Sequence, residues 1–378
     1  MEILNWEIDM NSFYMPVRVL EGKDIVISSA NLLKKFGKIA LLVTGKHSAK
    51  ANGSYNDVVT ALDNVDIEHI LYDDIEENPS VETIMKARDF ALEQNVDFVI
   101  GIGGGSPLDA AKAISLMIYH KNEDKGYLYK SGSDSNHVPL VLIPTTCGSG
   151  SEVTAVSVLT LHEKQTKKSI SHLIFAELAL IDGKYLMTLP HKTLCSTAID
   201  AFTHMVESYI NTKASDYSNM CVEKGLTIWS RSLDVLRGSR ELTIDDCDNL
   251  MRASMMGGMS IAQCGTTIPH GLSYSLTYKN HIAHGMAVGY FTAGYLAKAN
   301  QIDAKHILNL AGFNDIADYQ SFFTEICKAC DIPNIDDDVL YGAVEDVLKT
   351  PVKLEITPYD VSRQDLIDIA FYSKKNIH

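Results

Sequence analysis

The sequence predicts a two-part chain, a doubly wound α/β part over residues 1–187 followed by an all-α part over residues 188–378. Three observations carry this. Short apolar runs alternate with helical stretches as far as Asp182, helical periodicity dominates from Leu189 onward, and 378 residues exceed one ordinary core.

In order along the chain, residues 14–20 form a short apolar segment, and residues 25–36 read as one helix ending at Gly37. Residues 38–44 are a continuous apolar run closed by Gly45, as a strand buried on both faces of a parallel sheet requires. Residues 54–62 read as helix, 67–71 as strand, 80–94 as helix with Ser80 at the N-cap, and 97–102 as strand. Next comes Gly103-Gly104-Gly105-Ser106-Pro107-Leu108-Asp109, running into Ala110-Ala111-Lys112. Three glycines let the backbone approach a ligand, Ser106 can cap, and Pro107 suits the first helical position. Bare amides at such a helix start attract phosphate, although a tight strand-to-helix turn would look similar. Residues 139–144 form another buried strand. It delivers the hydroxyl- and glycine-rich loop of Thr145, Thr146 and Ser151 to a strand's carboxyl end, where open α/β sheets bind ligands. Residues 157–161 and 167–171 suggest a hairpin, and 178–182 the last strand. The first part is therefore expected to be a Rossmann-like nucleotide-binding domain.

Composition narrows the partners. Thirty-three basic against forty-eight acidic side chains give a net charge of −15, which would repel nucleic acid and an anionic membrane surface. No run of about eighteen apolar residues could span a bilayer. The acidic opening stretch, residues 1–9, has no basic region followed by an apolar run, so no secretory signal is expected. Seven scattered cysteines suit a reduced, cytoplasmic setting, and Cys327-x-x-Cys330 lies in a helical stretch without a second pair to complete a zinc site.

In the helical part, Asp200 and His204 are four apart and share a helix face. On a helix over residues 198–210, Ala198, Ala201, Phe202, Met205, Tyr209 and Ile210 fall on one stripe, with Asp200, His204 and Glu207 opposite. That polar stripe could be a solvated face. It could equally hold a metal together with His270 and His284, each followed by glycine and fourteen residues apart. One carboxylate and three imidazoles suit Fe, Zn, Co or Ni better than Mg or Ca.

Taken together, the Gly103–Asp109 motif, the run Pro144-Thr-Thr-Cys-Gly-Ser-Gly-Ser-Glu-Val-Thr154, the Asp200-x3-His204 helix and the two His-Gly pairs resemble the iron-containing, or group III, alcohol dehydrogenase family, of dehydroquinate synthase-like fold. The resemblance covers about residues 5–370. It implies that Asp200, His204, His270 and His284 bind Fe(II), or Zn, in a cleft between the two parts. His281, three residues before His284, is assigned to the loop, and Glu207 is a candidate to hold an imidazole in orientation. A nicotinamide dinucleotide is implied, with Gly103, Gly104, Gly105 and Ser106 at its pyrophosphate and Thr145, Thr146 and Ser151 near the ribose and nicotinamide. Asp109 and Lys112 would orient that loop or a ribose. At the end of the strand closing at Thr44, Gly45, Lys46, Ser48 and Lys50 stand where NAD-using members often carry an acid for the ribose 2′-hydroxyl, so NADP(H) is favoured over NAD(H). Tyr274 replaces a histidine found in many members, so a proton relay would run through Tyr274, Ser273 or water. Residues 176–183 also lack prolines common in the family.

The expected reaction is hydride transfer between NADP(H) and a small primary alcohol or aldehyde, with Tyr290 and Phe291 suggesting a neutral or apolar pocket. A glycerol or polyol dehydrogenase-like member is an alternative. A dehydroquinate synthase-like lyase would need clustered Arg and Lys, whereas only Lys279 stands near the proposed ligands. A nucleotide-binding sensor without catalysis would not need four intact ligand positions. A homodimer through the extended segment 14–20 is expected.

Overall fold

The computed structural model describes residues 12–164, 166–349 and 351–377; the opening residues 1–9, discussed above for their charge, lie outside these. Eight strands are present among the described residues: β1 (Arg18–Glu21), β2 (Ile39–Val43), β3 (Glu68–Tyr72), β4 (Phe98–Gly103), β5 (Leu140–Pro144), β6 (Val158–Leu161), β7 (Thr166–Ser169) and β8 (Leu178–Ile181). Six of them form one parallel sheet in the order β1-β8-β5-β4-β2-β3, and β6 and β7 pair as a separate antiparallel hairpin.

The helices between these strands are α1 (Ile25–Ser28), α2 (Ala30–Leu33), α3 (Ser48–Ala51), α4 (Ser54–Asp63), α5 (Val81–Glu93) and α6 (Gly105–Tyr119). Successive residues of a strand face opposite ways, so Leu41 and Val43 pack under α5 and α6 while Ala40 and Leu42 pack under α1, α2 and α4. This two-sided burial is why the central strands read as unbroken apolar runs. The single helix expected over residues 25–36 is instead two short ones, broken at Ser29, whose backbone leaves helical geometry at φ −92° and ψ 4°. Ser80 caps α5 as expected, accepting from the Thr83 amide. Ser106 does not cap α6. That helix already begins at Gly105, and the Ser106 hydroxyl instead accepts from the Asn78 amide at 3.0 Å.

Beyond β8 the chain is helical: α7 (His191–Tyr209), α8 (Asp216–Trp229), α9 (Leu233–Leu236), α10 (Ile244–Cys264), α11 (Ile268–Asn280), α12 (His284–Lys298), α13 (Gln301–Leu310), α14 (Ile316–Ala329), α15 (Asp337–Leu348), α16 (Val352–Glu355), α17 (Arg363–Tyr372) and α18 (Lys374–Ile377). One core joins them, with α7 at its centre against α8, α10 and α12. Every residue from 198 to 208 is buried, so the polar stripe of α7 is an interior surface, not a solvated one. Tyr290 and Phe291, expected to line a substrate pocket, are packed into this core. Cys327 and Cys330 are free thiols at the end of α14.

Candidate metal centre and dinucleotide cleft

Three helices deliver the four candidate ligands. Asp200 and His204 lie one turn apart on α7, His270 is in the first turn of α11, and His284 opens α12. From Asp200 Oδ1 the distances are 3.8 Å to His204 Nε2, 3.6 Å to His270 Nε2 and 3.8 Å to His284 Nε2. The ligand atoms of Asp200, His270 and His284 lie within 4.8 Å of one another, close enough to hold one cation, and His204 Nε2 stands beside them next to Asp200. Four donors held tetrahedrally at ordinary metal bond lengths stand about 3.4 Å apart, so the cluster would have to draw in around an ion, His204 included. The His204 ring stacks on His270 with centroids 4.7 Å apart, and His270 meets His284 edge-on at 5.3 Å.

Polar satisfaction points the same way. Asp200 Oδ1 and His270 Nε2 are buried with no hydrogen-bond partner, and native interiors seldom tolerate such atoms unless something else occupies them. The other ring nitrogens are held. His204 Nδ1 reaches the Gly148 carbonyl at 3.3 Å, and His270 Nδ1 reaches Glu207 Oε2, which leaves both Nε2 lone pairs facing Asp200. Burial works against the Asp200 carboxylate, but His204, His284 and His270 outweigh it and hold its pKa well below the usual range. Loss of water around the ring lowers the His284 pKa to about 4, with Asp200 opposing the shift and His270 and Lys167 adding to it. The ring therefore carries a free lone pair at neutral pH, although 40% of the side chain still faces the opening.

The glycines after the two histidines have steric reasons. A Cβ on Gly285 would stand 1.8 Å from the Ser196 carbonyl oxygen, so only glycine lets α12 cross α7 closely enough to bring His284 to Asp200. His281 sits outside this contact. It is an exposed residue in left-handed conformation at φ 54°, ending α11, on the turn where the sequence places it.

The sheet supplies the other wall. Gly103 ends β4 at φ +150°, and a Cβ there would meet Pro107 at 2.7 Å. Gly104 faces Thr146, and Gly105 faces Ser149, so the glycine turn and the loop after β5 lie against each other at the strand ends. Lys112, fully buried, donates to Ser151 Oγ at 2.7 Å, Thr154 Oγ1 at 3.3 Å and the Val156 carbonyl at 2.9 Å. Asp109 accepts from Ser151 Oγ at 2.6 Å and the Val158 amide at 2.9 Å. Of the two roles expected for Asp109 and Lys112, these bonds fit the bracing of the loop, since Lys112 has no surface left for a ribose. Thr145 is buried and Thr146 half-buried beside the turn.

Beyond β2, Gly45, Lys46 and Ser48 are at or near the surface, as the sequence suggests, but the absence of a carboxylate does not hold in three dimensions. The end of β3 brings Asp74 to 2.8 Å from Lys46 and Asp73 to 2.6 Å from Lys50. Tyr274, one turn after His270, is 46% exposed. The cleft around it and the charges of Glu207 and Asp200 push its phenol up to about 12, so it keeps its proton at neutral pH.

Two cleft residues carry almost no local sequence signal. Asn78, at φ 58° after β3, joins the glycine turn to the β6–β7 hairpin by donating its amide to Ser106 and accepting from Lys167 Nζ at 2.7 Å. Lys167 lies near enough for its charge to act on His284. Only the pairing of distant loops brings them together; an Asn-Pro turn at residues 78–79 is the sole hint.

A parallel sheet with a glycine turn at its carboxyl edge stands against a buried carboxylate and three imidazoles, an arrangement that fits a metal-dependent, nucleotide-binding enzyme. A family model described as iron-containing alcohol dehydrogenase matches residues 16–183, and one described as the C-terminal part of the Fe-containing alcohol dehydrogenase family matches residues 194–328. The chain belongs to the iron-containing alcohol dehydrogenase family and is an oxidoreductase. It is 32% identical over 300 residues to long-chain-alcohol dehydrogenase 1 of Geobacillus thermodenitrificans, covering 78% of this chain and 74% of that one. It is 29% identical over 285 residues to the NADPH-dependent butanol dehydrogenase of Clostridium saccharobutylicum, covering 74% and 71%. The crystal structure of an iron-containing alcohol dehydrogenase from Thermotoga maritima superposes with a TM-score of 0.86 at 31% identity, covering 96% of this chain and 99% of that one.

Proposed function

We propose that the protein is a metal-dependent alcohol dehydrogenase, working as an aldehyde reductase, that interconverts a small primary alcohol and its aldehyde with NADP(H), and less readily with NAD(H). The observation that carries the reading is the convergence of Asp200 Oδ1 with three Nε2 atoms 3.6–3.8 Å away, two of the four atoms being buried and unpartnered. We assign Asp200, His204, His270 and His284 as the ligands, with residues 1–187 as the dinucleotide domain and 188–378 as the metal and substrate domain.

A dication there, Fe(II) or Zn, would supply Lewis acidity to an alcohol or carbonyl oxygen, and the dinucleotide would supply the hydride chemistry. The chain's own residues do the rest. Glu207 and the Gly148 carbonyl fix the two stacked imidazoles so that each keeps Nε2 free. Gly103, Gly104, Gly105 and Ser106 offer a helix start to the pyrophosphate. Asp109 and Lys112 hold the loop of Thr145, Thr146 and Ser151 against that turn. Tyr274 holds a proton on its phenol at the cleft and is placed to pass it on through water.

The preference for NADP(H) is supported by Lys46, Ser48 and Lys50 beyond Gly45. Their Asp74 and Asp73 partners are exposed, and pairs of this kind contribute little, so a 2′-phosphate can displace them. The name of the Clostridium relative supports it as well. Six of the seven free cysteines are buried, in keeping with a reduced cytoplasmic setting. No described helix is long and apolar enough to cross a membrane. β1 stands at the edge of the sheet with Phe13 and Tyr14 exposed beside it, which supports a homodimer; light scattering that returns a monomer at micromolar concentration would remove that assignment.

The test is an anaerobic assay of metal-stripped protein titrated with Fe(II) or Zn(II), following oxidation of NADPH and NADH with butanal and a panel of longer aldehydes. Metal-dependent turnover that prefers NADPH is expected. Turnover independent of metal, or none with either cofactor, would overturn the reading.

A further inference from the structure

Glu207 lies three residues after His204 on α7 and is completely buried. Its Oε1 accepts from the Thr267 amide at 3.2 Å, the Thr267 hydroxyl at 3.2 Å and the His270 amide at 3.1 Å, and its Oε2 accepts from His270 Nδ1. The carboxylate thereby fixes both the start of α11 and the ring of His270. A buried carboxylate also needs a compensating positive charge. When His270 is a neutral ligand, with its proton on Nδ1, it supplies a hydrogen bond but no charge.

That charge comes from a distant part of the chain. Lys353, in the short helix α16, donates from Nζ to the Thr266 carbonyl at 2.7 Å and to Thr266 Oγ1 at 2.5 Å. Thr266 directly precedes Thr267, the residue that binds Glu207. Lys353 makes no ion pair with a carboxylate among the described residues, and burial pulls its ammonium pKa down while Glu207 opposes the shift. Its stem reaches this position across Gly271, where a Cβ would stand 3.4 Å from Lys353 Cγ and 3.2 Å from Val347 Cγ2. The glycine after His270 thus leaves room for Lys353, much as the one after His284 leaves room for α7. The segment is tied down a second time where the Thr212 amide donates to the Ile356 carbonyl at 2.9 Å.

We infer that Lys353 is a positioning residue for the metal centre: it pins the Thr266–Thr267 turn and balances Glu207, and so sets how firmly His270 is held as a ligand. Lys353 lies beyond residue 328, where the match to the C-terminal family model ends. The inference rests on the ligand assignment made under Proposed function.

The experiment measures Zn(II) affinity by chelator competition on full-length, metal-stripped protein, with NADPH affinity measured in parallel. Partners that hold a ligand in orientation are worth about 10–100-fold in metal affinity, and a loss in that range is expected for Lys353→Met. Lys353→Arg should recover part of it, and NADPH affinity should stay within about twofold, as it would not if the helical part had simply loosened. In a Glu207→Gln background, Lys353→Met should cost little more, because the two act through one path. If Lys353→Met does not fold, Thr266→Val, which removes one acceptor, replaces it and should weaken Zn(II) binding in the same direction. Unchanged Zn(II) affinity in Lys353→Met, or losses that add fully with those of Glu207→Gln, would overturn the inference while leaving the metal site in place. A wild-type protein that binds no Zn(II), Co(II) or Fe(II) stoichiometrically would overturn both.

Discussion

Acids and bases meet in two regions of this molecule with opposite physical consequences. On α7, Asp200, His204 and Glu207 are buried, and the charges of the two carboxylates are met by imidazoles, backbone amides and the ammonium of Lys353. At the ends of β2 and β3, Lys46 and Lys50 meet Asp74 and Asp73 at shorter distances than Asp200 meets its three imidazoles, yet all four side chains are at least 38% exposed. Set against Asp200, distance alone would rank the surface pairs as the stronger. Burial reverses the order, because water screens the surface pairs, whereas an interior charge without a partner costs several kcal/mol by ordinary estimates. The interior cluster is therefore committed to one geometry, and the surface pairs are free to exchange partners.

The comparison can be tested at several strengths. The largest effect is expected from His284→Ala, which should abolish stoichiometric metal binding and reduce activity to background, while His281→Ala, three residues away, should retain most of both; metal analysis beside the aldehyde assay checks this, and the reverse pattern would move the ligand to the loop. Gly285→Ala comes next. The added methyl collides with the Ser196 carbonyl, so a loss of about 1–3 kcal/mol or more in denaturant unfolding is expected, together with weakened metal binding.

A case between the two regions is Asp246, which closes the capping box of α10 with the N-cap residue Thr243 and takes two bonds from Arg240 at 2.6 and 2.7 Å. Its Arg240 partner, opposed by partial burial, lowers the carboxyl pKa to about 2. A depressed carboxylate stabilises the fold above its unfolded pKa and loses that contribution as pH falls from about 4 through about 2. The melting temperature should fall by about 2–4 °C more in the wild type than in Asp246→Asn over that window. The smallest effect on stability belongs to Lys46→Ala with Lys50→Ala, which should leave the melting temperature nearly unchanged but raise KM for NADPH about tenfold and spare NADH. Equal effects on both cofactors would remove the 2′-phosphate assignment.

These contrasts also mark how far the sequence could be read. The sheet was legible because strands such as β2 and β4, buried on both faces, leave unbroken apolar runs, and α6 because a glycine turn precedes it. The break at Ser29 was not, since residues 25–36 keep helical periodicity across it and no glycine or proline marks the point where the backbone leaves the helix. The four candidate ligand positions stood out through spacing and family resemblance together, since spacing alone left α7's polar stripe compatible with solvent; its burial depends on α10, α11 and α12, which the local pattern does not describe. Asp73 and Asp74 escaped because a search along β2 cannot see what β3 places beside it. Lys167, Asn78 and Lys353 escaped for the same reason, each reaching the cleft through contacts between segments tens of residues apart.

The most direct test of the buried cluster is X-ray absorption on protein loaded with one equivalent of Zn(II) or Fe(II). Expected is a first shell of nitrogen and oxygen only, with the outer-shell signature of three imidazoles, losing one imidazole in His270→Ala. Sulfur in the first shell, fewer than two imidazoles, or a spectrum unchanged in His270→Ala would contradict the assignment of Asp200, His204, His270 and His284.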